Sequence, residues 1–437
     1  MPLWLTIPLV FLLVVSVATL VFYGVVASRV WISSHRLPTA RDGLGLPEPE
    51  GGWPELTVII PAHNERDVIG RVARSVLASS YPKLSVVFVL DRCTDDTEAV
   101  LRDAITDAEG NPDPRAEIMV NDHCPEGWAG KVHAMHRGYS EARSLEAHRL
   151  SGEPDWRPRP GVDIHDLSRG LVLFADADTE FDPGCLRATV ALLVARELDL
   201  LSLLSTLTRE RWYEKLIQPC AAFELIRQYP LDHVNDPARP RSFANGQFML
   251  FRRAAFDSIG GHLGVRDALL EDIAFAKIFG RKDRGLRLGC LVADGMLHCE
   301  MYRDYDAFER GWKRIFTEAA SRKPAKLRNS ARVLLVIGVA LPVLTELAFW
   351  IGIVSWFFYD PSTLAEAVVI VSFAAFVMFS LGMGKVYQQQ QQAIWRIYLF
   401  PYSAWKVAGV LRSAARDLER GTRTQWGGKS YTREAQA

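Results

Sequence analysis

The chain has 437 residues, a formal net charge of +0 at pH 7 and 49% hydrophobic residues, and its apolar excess sits at the two ends. A neutral balance creates no global positive field, which argues against nucleic acid as a partner, and the length exceeds that of one ordinary domain. The 6 cysteines show no CxxC pair and no zinc-type spacing with histidine, so we interpret them as reduced thiols in a cytosol-facing domain and not as a disulfide framework.

Three apolar segments are long enough to span a bilayer, which takes about 20 residues. Residues 3–27 carry no charge and follow no basic residue, which favours a retained anchor over a cleaved signal peptide. Residues 333–359 and 364–383 are predicted to form a tight hairpin joined at 360–362. Glu346 falls inside the second segment. Because a carboxylate is costly there, either it faces the helix bundle or a polar cavity, or the segment boundary is shifted.

Basic residues flank these segments on one side, and positive residues stay in the cytoplasm. They are Arg29, Arg36 and Arg41 after the first segment, and Lys323, Lys326, Arg328 and Arg332 before the second. The sequence therefore predicts a multi-pass cell-membrane protein with a cytoplasmic central domain and with its N-terminus and hairpin tip outside. Residues 394–410 combine aromatic with basic residues, which favours an interfacial or re-entrant helix over a span. The glutamine run 388–392 is interpreted as a polar cap on the third segment.

Short apolar runs alternate with segments of helical periodicity in the middle of the chain. The predicted strands cover 56–60, 84–90, 117–120 and 171–174, and the predicted helices cover 67–78, 94–108 and 131–145. Thr94 is the candidate N-cap of the second helix, and residues 151–168, rich in Pro, Arg and Asp, are interpreted as an exposed insertion. The alternation predicts an α/β fold, a three-layer sandwich around a mainly parallel sheet.

Acidic residues follow the predicted strands, at the edge where open α/β sheets bind ligands. Asp176 and Asp178 end the fourth strand, where two carboxylates can hold Mg²⁺ or Mn²⁺ and bridge phosphates, although such a pair alone usually marks a solvated turn. Asp91 ends the second strand and can accept a hydrogen bond from a base edge. The alternative for Asp91 and Asp95 is a turn that opens the following helix.

Further motifs carry weaker signals. Residues 127–131, Gly-Trp-Ala-Gly-Lys, combine backbone freedom with an ammonium at a helix start, which suits a phosphate or a sugar hydroxyl. Asp272, after Glu271 at the start of an apolar helix, can be a general base for an acceptor hydroxyl or only a charge favoured by the helix dipole. Residues 245–248 read as a loop entering a strand near the site, and His262 is more often a loop residue than a ligand.

Five motifs occur in a fixed order, which is Pro61-Ala62-His63-Asn64-Glu65, Asp91 with Asp95, Gly130-Lys131, Asp176-Ala177-Asp178 and Glu271-Asp272. In this order they resemble the family 2 glycosyltransferases over residues 55–320. The resemblance implies a GT-A fold, a nucleotide-sugar donor, a divalent metal cofactor and inversion at the anomeric carbon. By resemblance Asp91 holds the uracil, Asp176 the ribose or metal side and Asp178 the metal, while Asp272 is the catalytic base. The predicted substrate-binding residues are Pro61, Ala62, Asn64, Glu65, Asp91, Asp95, Lys131, Asp176, Asn245, Gly246 and Glu271.

Several short segments are similar to a narrower group, the hopanoid-associated glycosyltransferases, which are related to ceramide-glucosyltransferase-type enzymes. They are residues 200–203, 229–230, 234–237, 260–261 and 265–268, and residues 426–431, which resemble the Trp-x-Gly-Arg-x-Tyr tail of such membrane enzymes. The chain departs from the family pattern twice. Leu90-Asp91 replaces the usual Asp-Asp pair, and the Gln-x-x-Arg-Trp element is not intact, with residues 309–314 as the candidate for its place.

The sequence thus predicts a membrane-bound inverting glycosyltransferase that moves a sugar from a nucleotide diphosphate, expected to be UDP, to a hydroxyl of a hopanoid- or sphingolipid-like lipid. Its predicted parts are a transmembrane anchor (1–28), a linker (29–54), a cytosolic GT-A domain (55–322), a membrane hairpin with an interfacial helix (323–411) and a cytosolic tail (412–437). Two alternatives stay open. A polysaccharide synthase would need more spans and an intact Gln-x-x-Arg-Trp, and an inactive sugar-nucleotide-binding scaffold would not need both Asp178 and Asp272.

Overall fold

The computed structural model describes residues 3–151, 170–236, 238, 241–268, 270–359, 361–422, 424–426 and 429–431. Nearly all of the predicted insertion at 151–168 lies outside these residues, as do Asp360 of the hairpin loop and part of the tail motif at 426–431.

The bounds of the described elements are as follows. The strands are β1 (Leu56–Ala62), β2 (Leu84–Asp91), β3 (Ala116–Asn121), β4 (Leu171–Ala175), β5 (Thr179–Phe181), β6 (Leu200–Leu204), β7 (Thr206–Leu207), β8 (Phe248–Arg252), β9 (Leu288–Val292), β10 (Leu297–Cys299), β11 (Thr424–Trp426) and β12 (Lys429–Tyr431). The α-helices are α1 (Leu3–Arg36), α2 (Ile69–Leu77), α3 (Thr97–Ala104), α4 (Gly130–Ser151), α5 (Cys185–Ala195), α6 (Trp212–Leu216), α7 (Gln218–Gln228), α8 (Leu231–Val234), α9 (Arg253–Ser258), α10 (Glu271–Phe279), α11 (Tyr305–Ala319), α12 (Pro324–Leu335), α13 (Leu341–Phe358), α14 (Thr363–Gln389) and α15 (Phe400–Glu419). Short 3₁₀ segments cover Arg41–Gly45, Gly261–Val265, Lys282–Arg284 and Ile394–Leu399, and a π-helical turn covers Val336–Ala340.

Seven strands form the main sheet, in the order β3-β2-β1-β4-β8-β6-β9. Neighbours pair in parallel except at β8, which runs antiparallel to both β4 and β6. The central strands β1, β2 and β4 are rich in Val, Ile and Leu and almost wholly buried, as expected where helices cover both faces of a parallel sheet. The predicted α/β fold with a mainly parallel sheet is confirmed.

Successive side chains of a strand point to opposite faces, and this alternation builds two hydrophobic cores. In β1, Val58 and Ile60 pack into the core that contains residues of α2 and α5, whereas Ile59 packs into the core that contains residues of α4 and α10. The two cores make the three-layer sandwich. They also fix the carboxyl ends of β1, β2 and β4 in one row, which is where the acidic motifs lie.

The second predicted helix begins later than the sequence indicated. α3 starts at Thr97, so Thr94 is not its N-cap. The Asp95 carboxylate instead accepts a hydrogen bond from the Thr97 backbone N–H at 3.1 Å, and the Thr97 hydroxyl also donates to it. The Asp95 side chain therefore accepts the hydrogen bond of a free N–H at the start of α3, which is the role that was predicted for Thr94.

Three helices are long and apolar enough to cross a membrane, and they are Leu3–Gly45, Pro324–Phe358 and Thr363–Gln389. The second joins α12, the π-helical turn and α13 into one continuous helix that begins nine residues before the predicted span. Glu346 lies on an exposed face of α13. The interpretation that it faces the helix bundle is therefore wrong, and a shifted boundary stays open.

The glutamine run does more than end the third apolar helix. α14 ends at Gln389, and the side-chain amide of Gln390 donates to the Pro219 carbonyl at 3.3 Å. The Gln392 side-chain amide donates to the Glu214 carbonyl at 3.2 Å. The run therefore fastens this helix to α6 and α7 of the α/β domain.

Candidate active site

A cavity of about 1000 Å³ opens at the row of strand ends. Seven of the predicted site residues line it, and they are Pro61, Ala62, Glu65, Asp91, Lys131, Asp176 and Asp178. The parallel register explains their meeting, because Ala62 pairs with Leu90 beside Asp91, and Ile59 pairs with Phe174 two residues before Asp176. The remaining six, Asn64, Asp95, Asn245, Gly246, Glu271 and Asp272, do not line this cavity.

Asn64 and Asp95 hold the loops around the cavity. Asn64 has a left-handed backbone, with φ 57°, and its side-chain oxygen accepts a hydrogen bond from the Thr94 backbone N–H at 2.8 Å. Asp95 bonds to Thr97 at the start of α3, and these bonds offset burial and lower the pKa of its carboxyl. Both side chains are already engaged, which favours the turn interpretation of Asp95 over direct contact with a substrate.

Asp91 is buried at the end of β2 between two hydrogen-bond donors. The Arg92 guanidinium donates to its Oδ2 at 2.6 Å, and the Asn121 side-chain amide donates to its Oδ1 at 2.6 Å. Sequence reasoning missed Arg92 and Asn121. The signal for Asn121 was available, since it ends β3 in register with Asp91.

The carboxylates of Asp176 and Asp178 meet Glu65 at the cavity floor. Burial, helped by the charges of Asp176 and Glu65, raises the pKa of Asp178 to about 7. The Asp178 Oδ1 atom is buried and bonds to no other described residue. Burial is also the main reason that the pKa of Glu65 is raised to about 7. These features fit a divalent cation as a ligand, because a positive ion would relieve the repulsion between the carboxylates and would offer a partner to the Asp178 oxygen.

Within the described part of the chain, no group of three or more His, Cys, Asp or Glu residues is arranged to hold a metal ion. This arrangement still suits Mg²⁺, which is typically held by one or two carboxylates and completed by water and substrate phosphates. Asp176 and Asp178 could supply the protein's share of such a site.

Lys131 forms a bridge between two acidic groups. Its Nζ lies 2.6 Å from Asp176 Oδ1 and 2.6 Å from Glu271 Oε1. Burial alone would lower the pKa of Lys131, but the two carboxylates outweigh it and raise that pKa. The sequence predicted an ammonium directed at a phosphate or sugar; in this structure the ammonium is neutralised by two carboxylates.

Asp272 lies next to this bridge, behind Gly246. Its Oδ2 accepts a hydrogen bond from the Gly246 N–H at 2.9 Å, and its Oδ1 accepts one from the Ile273 N–H at 2.7 Å. Burial, with the nearby charge of Glu271, raises the pKa of Asp272 to about 7. The Glu271 side chain also approaches Gly246, because a Cβ built on that glycine would lie 3.2 Å from a carboxylate oxygen of Glu271 and 3.2 Å from one of Asp272.

Asn245 supports the loop that carries Gly246. Its side-chain amide donates to the Leu203 carbonyl at 2.9 Å, and its backbone N–H donates to the Ser202 hydroxyl at 2.7 Å. Both partners lie on β6. Asn245 therefore fixes the loop against the sheet, and the Gly246 N–H is held where it meets Asp272.

Three basic side chains of α11 also line the cavity, and one of them, Lys313, is paired with Glu309 at 3.1 Å and with Asp417 at 3.3 Å. Arg310, Lys313 and Arg314 line the cavity together with residues of α15 that include Asp417 and Leu418. The first three belong to the segment 309–314, which the sequence marked as the candidate for the altered Gln-x-x-Arg-Trp element. The helical spacing of three and four residues places them on one face.

His262 is neither an exposed loop residue nor a cavity residue. It is 1% exposed, and its ring lies edge-on to Phe174 at 4.5 Å and near Phe256 and Phe275. Neither ring nitrogen bonds to another described residue. Burial lowers the pKa of His262 well below its usual 6.5, so the ring is neutral.

Comparisons with known proteins relate the chain to glycosyltransferases. The sequence model described as "Glycosyltransferase like family 2" matches residues 54–282, more than half of the chain. Two curated relatives, both 4,4'-diaponeurosporenoate glycosyltransferases of Staphylococcus aureus, are 24% identical over 287 residues and 25% identical over 288 residues. Each match covers 62% of this chain, and the chain spans 63% of the length of these relatives.

Two solved structures are also similar to the chain. The Pyrobaculum calidifontis mannosyltransferase in complex with GDP-Man and Mn²⁺ is 17% identical with a TM-score of 0.46, covering 94% of this chain and 98% of that chain. Glucosyl-3-phosphoglycerate synthase of Mycobacterium tuberculosis, in complex with Mn²⁺, UDP and glucosyl-3-phosphoglycerate, is 18% identical with a TM-score of 0.35, covering 61% of this chain and 79% of that chain.

Proposed function

The chain belongs to the family 2 glycosyltransferases, and we propose that it is a membrane-bound inverting enzyme that transfers a sugar from a nucleotide diphosphate, UDP by preference, to a lipid hydroxyl. One observation carries the proposal. A single cavity is lined by buried carboxylates and by basic side chains of α11. A diphosphate calls for both, since carboxylates hold a divalent ion and basic side chains neutralise phosphate oxygens.

The donor is proposed to lie across the strand ends. Asp176 and Asp178 would hold Mg²⁺ or Mn²⁺, which when bound neutralises the leaving diphosphate. Arg310, Lys313 and Arg314 of α11 would contact the same diphosphate. Deeper in the cleft, Asp91 is an acceptor between the donors Arg92 and Asn121. These donors are directed at Asp91 and orient its carboxylate, which could accept a hydrogen bond from the N3–H of uracil and so supports UDP.

Asp272 is the proposed general base. Its pKa of about 7 suits a base that works near neutral pH. Two backbone N–H groups fix the carboxylate, and each oxygen keeps a lone pair for a proton. Asp272 lies behind Gly246 and not on the cavity wall, so the acceptor hydroxyl would have to enter past Gly246 for Asp272 to take its proton while that oxygen attacks the anomeric carbon. The new C–O bond forms opposite the breaking bond to the diphosphate, so the configuration inverts.

The membrane assignment rests on the three long apolar helices and the basic residues that flank them. We place the α/β domain in the cytoplasm on that charge rule. Residues 394–410 would lie in the interface. The ring of Tyr398 stacks on that of Phe376 of α14, with the ring centroids 6.1 Å apart. Phe376 lies seven residues inside the predicted end of the third span at Met383, which is about 10 Å at about 1.5 Å per residue, so this contact places Tyr398 beside the span. Trp395, Tyr398 and Trp405 are exposed, as interfacial aromatic residues are.

The proposed acceptor is a membrane lipid, because an interfacial segment continues into α15, whose second half lines the cavity. Hopanoid- and sphingolipid-like hydroxyls follow from the sequence resemblance. The curated relatives are named as 4,4'-diaponeurosporenoate glycosyltransferases, so that compound also belongs among the acceptors to test.

The test uses the full-length chain in detergent with lipid extracts and a panel of radiolabelled UDP- and GDP-sugars. We expect label in the lipid fraction from one UDP-sugar and an inverted anomeric configuration in the product. Asp178→Asn is the matched negative control. Label in a water-soluble polymer would favour a polysaccharide synthase, and donor binding without any transfer would favour an inactive scaffold.

A further inference from the structure

Charge is distributed unevenly between the apolar helices and the α/β domain. The sequence has 51 Lys and Arg residues and 51 Asp and Glu residues, but residues 3–41, 319–345 and 367–416 contain no Asp or Glu. Thirteen Lys and Arg residues lie in these three stretches, which leaves a net negative charge on residues 42–318. An anionic surface therefore attracts the three basic stretches and repels the α/β domain.

Most of these cations are not neutralised inside the protein. Arg41, Arg322 and Arg328 form ion pairs with acidic residues. The other ten make no ion pair with any carboxylate in the part of the chain that the structure describes. Lys385 and Arg396 donate hydrogen bonds to glutamine side chains, which carry no charge. Exposed cations are stable in water without a partner, so their surroundings have to show which ligand they suit.

One cation–aromatic pair lies where two of the apolar helices end. Lys385 of α14 has its Nζ 5.6 Å from the centroid of the Trp31 ring of α1, and this tryptophan is 48% exposed. Trp31 lies four residues past the predicted first span, and Lys385 lies two residues past the third. Tryptophan is enriched at the membrane–water interface, at the level of the lipid headgroups. The contact therefore places the Lys385 ammonium at that level.

The segment after α14 repeats this arrangement twice. The guanidinium carbon of Arg396 lies 5.7 Å from the centroid of the Trp395 ring, and Lys406 Nζ lies 5.4 Å from that of the Trp405 ring. The two tryptophans are 61% and 52% exposed. Each pair thus presents an exposed apolar ring and a cation side by side, which are the two groups that a phospholipid at the interface can contact together.

We propose that these three cation–aromatic pairs bind the headgroups of anionic phospholipids. The tryptophan rings fit the boundary between acyl chains and headgroups, and the neighbouring cations fit the phosphate groups beside it. A zwitterionic headgroup carries its own ammonium, which offsets its phosphate, whereas an anionic lipid keeps a net negative charge. The three pairs therefore favour an anionic lipid over a zwitterionic one.

The inference rests on the membrane assignment made in the proposed function, and it adds the class of lipid that the protein selects. It also gives the uneven charge a role, because an anionic bilayer repels the α/β domain except along the basic stretches. Lys406 belongs to α15, and Ala414 and Leu418 of the same helix line the cavity. The lipid contacts therefore hold against the membrane the side of the domain that bears this cavity wall.

The test reconstitutes the full-length protein in phosphatidylcholine vesicles that contain either brominated phosphatidylglycerol, which is anionic, or brominated phosphatidylcholine. Bromine quenches tryptophan fluorescence on contact, so the quenching curves give the relative affinity of the protein for the two lipids. We expect wild type to prefer phosphatidylglycerol about fivefold, the effect of one cation at an anionic surface. Raising the salt concentration to about 1 M should reduce this preference, because salt screens exposed charges.

Two triple variants separate charge from structure. Lys385→Gln with Arg396→Gln and Lys406→Gln removes the cations and should lower the preference to less than about twofold. Lys385→Arg with Arg396→Lys and Lys406→Arg keeps the charges and should keep the preference. All three proteins have the same tryptophans, so a difference between them reports on the cations. Arg187→Gln is a further control that should change nothing, because it removes a cation 5.0 Å from the ring centroid of Trp53 in the α/β domain.

Two results would overturn the inference. One is equal quenching of wild type by the two brominated lipids, and the other is a preference above about twofold in the glutamine variant. The proposed function fails in other ways. Extraction of wild type from the vesicles by alkaline carbonate would contradict the membrane assignment. A preference for phosphatidylglycerol without any sugar transfer would support this inference and contradict the proposed chemistry.

Discussion

Replacing Asp272 with asparagine separates the two roles that this residue can have. The side chain is half-buried at the start of α10, and its two oxygens accept hydrogen bonds from the N–H groups of Gly246 and Ile273. Asparagine keeps the shape and one acceptor oxygen, but it cannot take a proton. It gives up one hydrogen bond to a charged acceptor, worth about 1.5–3 kcal/mol, and a favourable helix-end charge, worth about 0.3–1 kcal/mol.

These costs leave the protein folded if its stability lies in the usual range of about 5–15 kcal/mol. Loss of a general base, by contrast, lowers the rate about 10²–10⁴-fold. The pH profile adds a second signature. Because the pKa of Asp272 is raised to about 7, wild-type kcat/KM should rise with pH through about 7 as the carboxyl loses its proton. At saturating Mn²⁺, which should keep the carboxylates of Asp178 and Glu65 ionised, Asp272→Asn should lose that rise.

The assay compares initial transfer rates from pH 5.5 to 8.5, UDP affinity and melting temperature for the full-length protein. Asp304→Asn is the matched control, because Asp304 is the N-cap of α11 and accepts a 2.7 Å hydrogen bond from the Ala307 N–H. Both variants should bind UDP like wild type. Transfer by Asp272→Asn within a few-fold of wild type, or no slower than Asp304→Asn, would remove Asp272 from the mechanism.

Four other outcomes follow from particular contacts. Glu271→Gln should destabilise the protein more than Asp272→Asn does in thermal unfolding, because it removes a buried carboxylate 2.6 Å from Lys131 Nζ; equal melting temperatures would contradict this. Chelation should abolish transfer and Mn²⁺ should restore it, while Asp178→Asn should need more Mn²⁺ to bind UDP; full activity with chelator would exclude the metal role. In intact cells, membrane-impermeant thiol reagents should label a cysteine placed at Ser362, and they should label Cys93 only after permeabilisation. Cys290 is buried, so it does not report on topology. The reverse labelling pattern would show that the predicted topology is inverted. The contribution of His262 to stability should fall as pH drops below 6.5, because it is neutral when folded and is protonated only on unfolding, whereas the raised pKa values of Asp178, Glu65 and Asp272 act in the opposite direction; the melting temperature of His262→Leu relative to wild type should therefore rise as pH falls, and a constant difference would contradict this.

The fold could be predicted from the sequence where periodicity and composition indicated the same type of element. The four predicted strands appear within a few residues of their predicted places, and each of the three predicted spans lies, to within one residue, inside a longer helix. The start of α3 was missed because Asp95 and Thr94 carry the same capping signal, and one sequence cannot rank them. The antiparallel strand β8 was also out of reach, since a strand's direction is decided by its connections and not by its composition.

Only part of the site could be predicted from the sequence, because some of its residues are placed by tertiary packing. Residues at strand ends, such as Asp91 and Asp178, are placed by the sheet, and a rule about strand ends finds them. Arg310 and Tyr302 reach the cavity from an element packed against the sheet later in the chain. Their positions depend on tertiary packing, and the ring of Tyr302 fits against α11 only because Gly311 has no side chain. No local pattern encodes that contact.

The sequence motif and the structure assign different partners to Lys131. The sequence predicted an ammonium for a phosphate or sugar, and the structure pairs it with Asp176 and Glu271. Buried carboxylates repel each other at the cavity floor, and the ammonium offsets part of that repulsion in the protein alone. A divalent ion on Asp176 would take over this neutralisation. On the proposed function, Lys131 would then be free to turn its charge toward the donor, and the two descriptions would apply to the protein before and after the donor binds.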